Sequence, residues 1–219
     1  MLYVTKTTTI PVPKVYAIYR CHDEKQRIAT YIVMQYIPGT TLLNLWASLD
    51  QARKTDIART LRGYFDELRR LEHPEHLAGY FGNIAGGPPL DDMFSATQGA
   101  ADEVKTPFAT EDELIDCIIR IYVLETGERT SHKTRYYQNV LPTFLHGNGS
   151  PNVMVQPDGT VVMIDWEFAS WYPTYWEYST ATFANGGWND DWHDYVRMAL
   201  DEYPIQSLWL SSMKLEMWS

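Results

Sequence analysis

At 219 residues with 45% hydrophobic content, the chain can bury a proper core, as one domain or as one domain with a small appendage. A formal net charge of -10 argues against a basic face, and so against sequence-independent binding to nucleic acid or adhesion to anionic membranes. No apolar run approaches the ~20 residues that span a bilayer, and no charged-then-apolar leader opens the sequence. Cys21 and Cys117 match no metal-ligand spacing, so two reduced core thiols in a cytoplasmic protein are expected. Aromatic residues make up 14% and gather after residue 165, where they read first as core packing and second as the lining of an apolar pocket.

From the N-terminus, a Thr-rich stretch over 1–9 leads into Ile10-Pro11-Val12-Pro13, which holds the chain extended. A strand is predicted at 14–19, a charged turn region at 21–29 and a second strand at 30–36. Such a hairpin is marginal alone and must pack on later parts of the chain. Residues 37–41, with Pro38 and Gly39, read as a linker. A short helix is expected over 42–47. Ser48 with Gln51 reads as a capping box for the next helix, in which Ile57, Leu61, Phe65, Leu68 and Leu71 recur at three and four, ending near 72–74. Its charged face, with Arg59, Arg62, Glu67, Arg69 and Arg70, is expected to be solvated.

Periodicity is lost over 79–107. Gly86-Gly87-Pro88-Pro89 lacks the Lys and Ser/Thr of a phosphate loop, and its prolines offer no N–H, so it reads as an ordinary loop. Thr110 and Glu113 predict a second capping box, opening a helix that carries Leu114, Ile118, Ile121 and Tyr122 to about residue 125. Further helices are predicted at 131–140, 174–184 and 188–202, the last of them stopping before Pro204. The order of elements predicts an α+β fold, mainly helical.

The densest polar chemistry falls within 144–178. Two β-branched runs, 153–155 and 161–164, flank Pro157-Asp158-Gly159, a hairpin signal. A turn on Asp158-Gly159 sets Asn152 opposite Asp165 at the open end. An amide oxygen and a carboxylate there suit a hard divalent cation bridging to phosphate oxygens. A loop carrying His146 and Asn148 enters the same end. Each residue also has a plainer role: Asn152 as a turn former, Asp165 as a cap and His146 as a brace on the backbone.

Four segments, IPVPKVY at 10–16, YIVMQYIPG at 31–39, IDWE at 164–167 and WYPTYWEY at 171–178, resemble the aminoglycoside phosphotransferase family of protein-kinase-like fold, its fungal branch in particular. The resemblance implies a residual small-lobe hairpin at 1–38 and, at 39–219, a C-terminal helical lobe with the catalytic-type loop. It implies that Met34, Gln35 and Tyr36 lie at the hinge where adenine binds, that Asn152 and Asp165 are metal ligands, and that Glu177 braces the loop from below. Three departures accompany it. The family's Gly-rich loop and phosphate-binding Lys would precede residue 10, where nine residues stand, and neither Lys6 nor Lys14 is equivalent. His146-Gly147-Asn148 replaces His-Gly-Asp, and a carboxamide cannot act as the base, a role typically worth about 10²–10⁴-fold. Asn148 and Asn152 are four positions apart instead of five.

Three functions are compatible with these residues. The first expectation is a degenerate, non-phosphorylating member whose cleft binds an apolar small molecule. It would act in secondary metabolism by a metal- and ATP-independent cyclisation, isomerisation or elimination, with no cofactor. Asn148, His146 and Asp165 would be catalytic, with Trp166, Glu167 and Trp171 at the ligand. The alternative is a minimal Mg-ATP phosphotransferase holding its metal on Asn152 and Asp165. The second alternative is a non-catalytic pseudokinase that binds a protein partner through bare apolar surface.

Overall fold

A computed structural model describes residues 1–22, 28–73, 79–94, 104, 106–127, 143–145, 152–183 and 191–217. In chain order the helices are α1 (Leu2–Thr7), α2 (Leu42–Trp46), α3 (Gln51–Arg69), α4 (Glu111–Thr126), α5 (Trp176–Phe183), α6 (Trp192–Ala199) and α7 (Pro204–Met217). The strands are β1 (Val15–His22), β2 (Ile28–Met34), β3 (Thr40–Thr41), β4 (Gly82–Asn83), β5 (Thr143–Leu145), β6 (Val153–Val155), β7 (Val161–Met163) and β8 (Ser170–Tyr172). Single 3-10 turns occupy Asp92–Phe94 and Trp166–Phe168. The architecture is α+β and mainly helical. The helix predicted at 131–140 lies outside the described residues.

The chain divides into two compact units, Met1–Asp50 with Pro151–Asp165, and Gln51–Ser150 with Trp166–Ser219. In the first unit, β1 and β2 form an antiparallel ribbon running from Val15↔Met34 to His22↔Ile28. Cys21 is exposed on it, a correction to the expectation of two core thiols; Cys117 is buried. A separate sheet has the order β3-β6-β7. A fourth segment, the proline-rich entry, lies beside β7, its Pro11 carbonyl accepting the Met163 N–H at 3.0 Å. The segment expected to be a linker is therefore pinned: Thr40 and Thr41 pair with Val155 and Met154. The Thr-rich start forms α1, along which the hydroxyls of Thr5, Thr7 and Thr8 donate to carbonyls four residues back at 2.8–3.0 Å.

In the second unit, α3 buries Ile57, Leu61, Phe65 and Leu68 as their spacing predicts. Two details differ. The helix opens at Gln51, and the Ser48 hydroxyl donates back to Leu45 at 2.7 Å instead of capping it. The charged face is also not simply solvated. Arg62 meets Asp66 at 3.0 Å and Asp201 at 2.8 Å, Arg69 reaches the same two carboxylates, and Lys54 holds Asp191 at 2.7 Å. These pairs stitch α3 to the segments flanking α6, whose Trp192, Tyr195 and Val196 are buried.

The capping box of α4 is present. The Thr110 hydroxyl accepts the Glu113 N–H at 3.2 Å, while Glu113 reaches back to the Ala109 N–H at 2.8 Å. Gly127, at φ 67°, closes the helix with its N–H on Val123. Thr110→Ala is expected to lower unfolding free energy by about 1 kcal/mol in a urea titration. Leu114, Ile118 and Tyr122 of α4 share one core with Trp176 of α5 and Trp209 and Met213 of α7. The sequence suggested no helix after Pro204, yet Pro204 is the first residue of α7. Its missing N–H costs nothing there, since no first-turn N–H has an intrahelical partner.

A buried ion pair locks this core. Asp91, 4% exposed, accepts the Met93 N–H at 2.9 Å, the Trp176 indole N–H at 3.1 Å and the Lys214 ammonium at 3.4 Å. The Gly-Pro segment is an ordinary loop, as expected, and Asn83 organises it. Its Oδ1 accepts from Ala85 and Gly87 at 2.9 and 3.1 Å, and its Nδ2 donates to Pro88 at 2.8 Å.

Candidate functional site

The hairpin of β6 and β7 supplies the described part of the site. Its turn is closed by Gln156 donating to Thr160 and Gly159 donating to Gln156, both at 2.9 Å, with Gly159 at φ 89°. The Asp158 carboxylate accepts the Thr160 N–H at 2.9 Å, and that bond holds its pKa below the usual range. Val155 and the whole of β7 are buried, so the strands have a fixed base.

The pairing Val153↔Met163, Met154↔Val162, Val155↔Val161 continues to Asn152 and Ile164, whose N–H reaches the Asn152 carbonyl at 2.8 Å. By backbone register Asn152 thus faces Ile164, one residue short of the expected Asp165. The side chains nevertheless meet, with Asn152 Nδ2 donating to Asp165 Oδ2 at 3.0 Å. What reconciles the two is Asp165 itself. Its φ of 58° is the positive value found among described non-glycine residues, and it breaks the alternation that would send its carboxylate to the opposite face. Asp tolerates this left-handed conformation better than most residues.

As placed, Asn152 turns its amide N–H to Asp165; with the amide turned over, its oxygen and the carboxylate would make a partial shell for a hard cation. Among the described residues no group of three or more His, Cys, Asp or Glu could hold a metal unaided. The donor set fits Mg²⁺ in the form in which it is usually bound, by one or two protein oxygens with phosphate oxygens and water completing the octahedron.

The other candidates lie as follows. Met34 and Tyr36 are 48% and 84% exposed. Gln35 is engaged at the base of the ribbon, its N–H on the Lys14 carbonyl at 2.8 Å and its Oε1 accepting the Lys14 N–H at 3.3 Å. Trp166 is buried and Glu167 exposed in the 3-10 turn that follows Asp165. Trp171 sits at the centre of β8, paired with Gly82 of β4 and Phe144 of β5. Its ring is 1% exposed and stacks on His73 at 3.7 Å. Glu177 is buried in the first turn of α5. Next to Trp171, burial first and the Asp91 charge second push the Tyr172 hydroxyl well above its ordinary pKa; it stays neutral and donates to Phe168 at 2.9 Å. His146 and Asn148 lie outside the described residues, directly after β5, whose last residue, Leu145, pairs with Ser170.

One residue that supports the site escaped the sequence reading. Gly39, at φ 124°, lies so close to β6 that a β-carbon on it would stand 2.1 Å from the Val155 carbonyl oxygen. The Pro38-Gly39 turn was visible, but what it turns against was not.

Residues 2–205 match the model of the phosphotransferase enzyme family. Among solved structures, the chain is similar to a thermostable mutant of aminoglycoside phosphotransferase APH(4)-Ia in its apo form, at 17% identity and a TM-score of 0.60, covering 98% of this chain and 70% of that one. It is also similar to APH(4)-Ia itself, at 15% identity and a TM-score of 0.55, with 98% and 70% covered. A third likeness is to the GDP and kanamycin complex of APH(2")-IIia, at 17% identity and a TM-score of 0.53, with 99% and 69% covered. No curated protein matches the chain. At these identities the likeness shows a shared fold, the kinase-like α+β fold. No helix among the described residues is long and apolar enough to cross a membrane.

Proposed function

The chain belongs to the phosphotransferase enzyme family, and on that premise we propose that it binds a nucleoside triphosphate as its Mg²⁺ complex, with Asn152 and Asp165 as the protein's metal ligands and a small molecule as phosphoryl acceptor. The observation that carries this reading is the 3.0 Å contact between those two side chains, held at the open end of a rigid hairpin. Bound there, the cation would neutralise charge on the transferred phosphoryl group. Asp165 supplies the negative ligand and Asn152 the neutral one. Asn148 can orient an acceptor hydroxyl by hydrogen bonding but cannot take its proton, so transfer is slow. The exposed, unpaired Cys21 suits a reducing, cytoplasmic setting.

Calorimetry with ATP and Mg²⁺ tests this directly. Saturable binding is expected in Mg²⁺ and its loss on chelation, with Asp165→Asn weakening affinity by about 100-fold, the cost of removing the one charged protein ligand from a metal–phosphate cluster. Absence of any heat or thermal shift at millimolar nucleotide would sink the reading.

A second reading rests on Asn148 standing where the family's base is expected. In it the protein is a non-phosphorylating member, of fungal type and in secondary metabolism, that positions an apolar ligand for cyclisation, isomerisation or elimination. Asn148→Asp separates the two. A rise of about 10²-fold in nucleotide turnover favours the phosphotransferase, and no change favours the second reading.

A further inference from the structure

We infer that His73 is a positioning residue for the segment carrying His146 and Asn148: its ring, stacked on Trp171, holds β8 and, through β8, the end of β5, the strand that leads into that segment. The holding of β5 stands on the contacts alone; that the segment acts in phosphoryl transfer rests on the reading above.

The sheet β4-β8-β5 is built from strands of two and three residues, too short for backbone pairing to fix it unaided. Side-chain contacts on its two faces must do so. Along β8 successive side chains point to opposite faces. Tyr172, fully buried, turns to one of them, where its ring stacks on Trp176 at 5.0 Å and 9° within the core shared with α4 and α7. Trp171 turns to the other, and there His73 covers it, ring on ring at 3.7 Å and 24°.

His73 is itself held in place. It follows the last residue of α3 closely, and Arg70 and Leu71 continue the turn by donating to Glu67 and Leu68 at 3.2 and 3.1 Å. Its other ring neighbour is Tyr80, met edge to face at 5.1 Å, whose hydroxyl donates to the Asn83 carbonyl of β4 at 2.6 Å. The imidazole thus lies between two rings, one fixed to β4 and one at the centre of β8.

The path to the segment is short. Trp171 pairs with Phe144 and Ser170 with Leu145, and His146 is the next residue. On the core side the grip on β8 is redundant, since Tyr172 also donates to Phe168 at 2.9 Å and Trp176 to Asp91 at 3.1 Å. On the other side it includes a half-buried imidazole on the connection after α3. A substitution there can loosen β8 and leave the core intact. A displacement of about 1 Å at a reacting group can cost on the order of 10²-fold in rate, so partial loosening of β5 is expected to cost about 10-fold.

Hydrogen exchange read by mass spectrometry tests the holding, and turnover tests its consequence. In His73→Ala, peptides covering 143–145 and 170–172 are expected to exchange about 10-fold faster, through loss of one stacked ring pair, while peptides of α4 exchange as in the wild type. His73→Phe, which keeps a ring, should restore the wild-type rate; His73→Leu, which keeps apolar bulk without a ring face, should not. With ATP and Mg²⁺, His73→Ala should lower kcat about 10-fold and leave nucleotide affinity within about 2-fold, because the proposed metal ligands Asn152 and Asp165 belong to the other compact unit. Unchanged exchange in β5 and β8, equal exchange in His73→Phe and His73→Ala, or an increase spread equally over α4, which marks general destabilisation, overturns the proposal. So does an unchanged kcat in a chain that turns nucleotide over. If no nucleotide binds, the phosphotransferase reading fails, and the exchange pattern still decides whether His73 holds β5. Should His73→Ala not fold, the contrast between His73→Phe and His73→Leu decides in the same way.

Discussion

Gly39→Val is expected to cost about 3 kcal/mol or more of unfolding free energy, read as a lower urea midpoint. Two effects combine. A φ of 124° lies outside the range that residues with a side chain adopt, which alone costs on the order of 1–3 kcal/mol. The added β-carbon would also stand 2.1 Å from the Val155 oxygen, 2.9 Å from its carbon and 3.0 Å from the Gln156 Cα, all backbone atoms that cannot rotate away. Relief requires β3 to leave β6, so the hairpin bearing Asn152 and Asp165 loses its outer strand. If Asn152 and Asp165 hold a nucleotide's metal as proposed, nucleotide binding weakens alongside stability. Gly63→Ala, in the middle of α3 with nothing within 4 Å of the added carbon, serves as the contrast and should stabilise by about 0.5–1 kcal/mol. Equal effects at the two glycines would mean that β3 is not held against β6.

Lys214→Met should destabilise by about 3–5 kcal/mol, because it strands the carboxylate of Asp91 in a core where both partners are nearly buried, with side-chain exposures of 10% and 6%. The loss comes from the uncompensated charge and not from a strong attraction, since the 3.4 Å separation is long for a charge-assisted bond. The pair should therefore be non-additive. Asp91→Asn/Lys214→Met, which keeps the hydrogen bond from the Trp176 indole to a neutral acceptor, should recover much of the single-variant loss in the same titration. If the double variant is as unstable as the sum of the singles, Lys214 acts through packing, for instance against the Phe183 ring 5.7 Å away.

Local chemistry was legible wherever a few adjacent residues determine the outcome. Pro157-Asp158-Gly159 announced its hairpin, Thr110 and Glu113 their cap, and Ile57 to Leu68 their buried stripe, because each signal lies within one turn or one helix face. Long-range geometry was not. The pairing of Thr40 and Thr41 with β6 joins positions more than a hundred residues apart and leaves no local pattern. Pro204 signals a stop as readily as a start, and only the burial of Trp209, Leu210 and Met213 beyond it shows which. Arg62 and Arg69 looked like solvated charge because Asp201, which holds them, is remote in sequence. At the site, the meeting of Asn152 and Asp165 was legible from turn length. The one-residue offset was not, since it arises from a backbone angle that residue type permits but does not dictate.

That angle also fixes how position 165 can be varied. At φ 58° only glycine, asparagine and aspartate sit without notable strain. Alanine or glutamate there would change the path of the main chain as well as the functional group, so lost activity in such variants reports conformation and chemistry together. Asparagine keeps the path and removes the charge; glycine keeps the path and removes the side chain. Position 165 thus has a natural vocabulary of three residues, and within that set the charge and the side chain can be removed one at a time in a backbone otherwise unchanged.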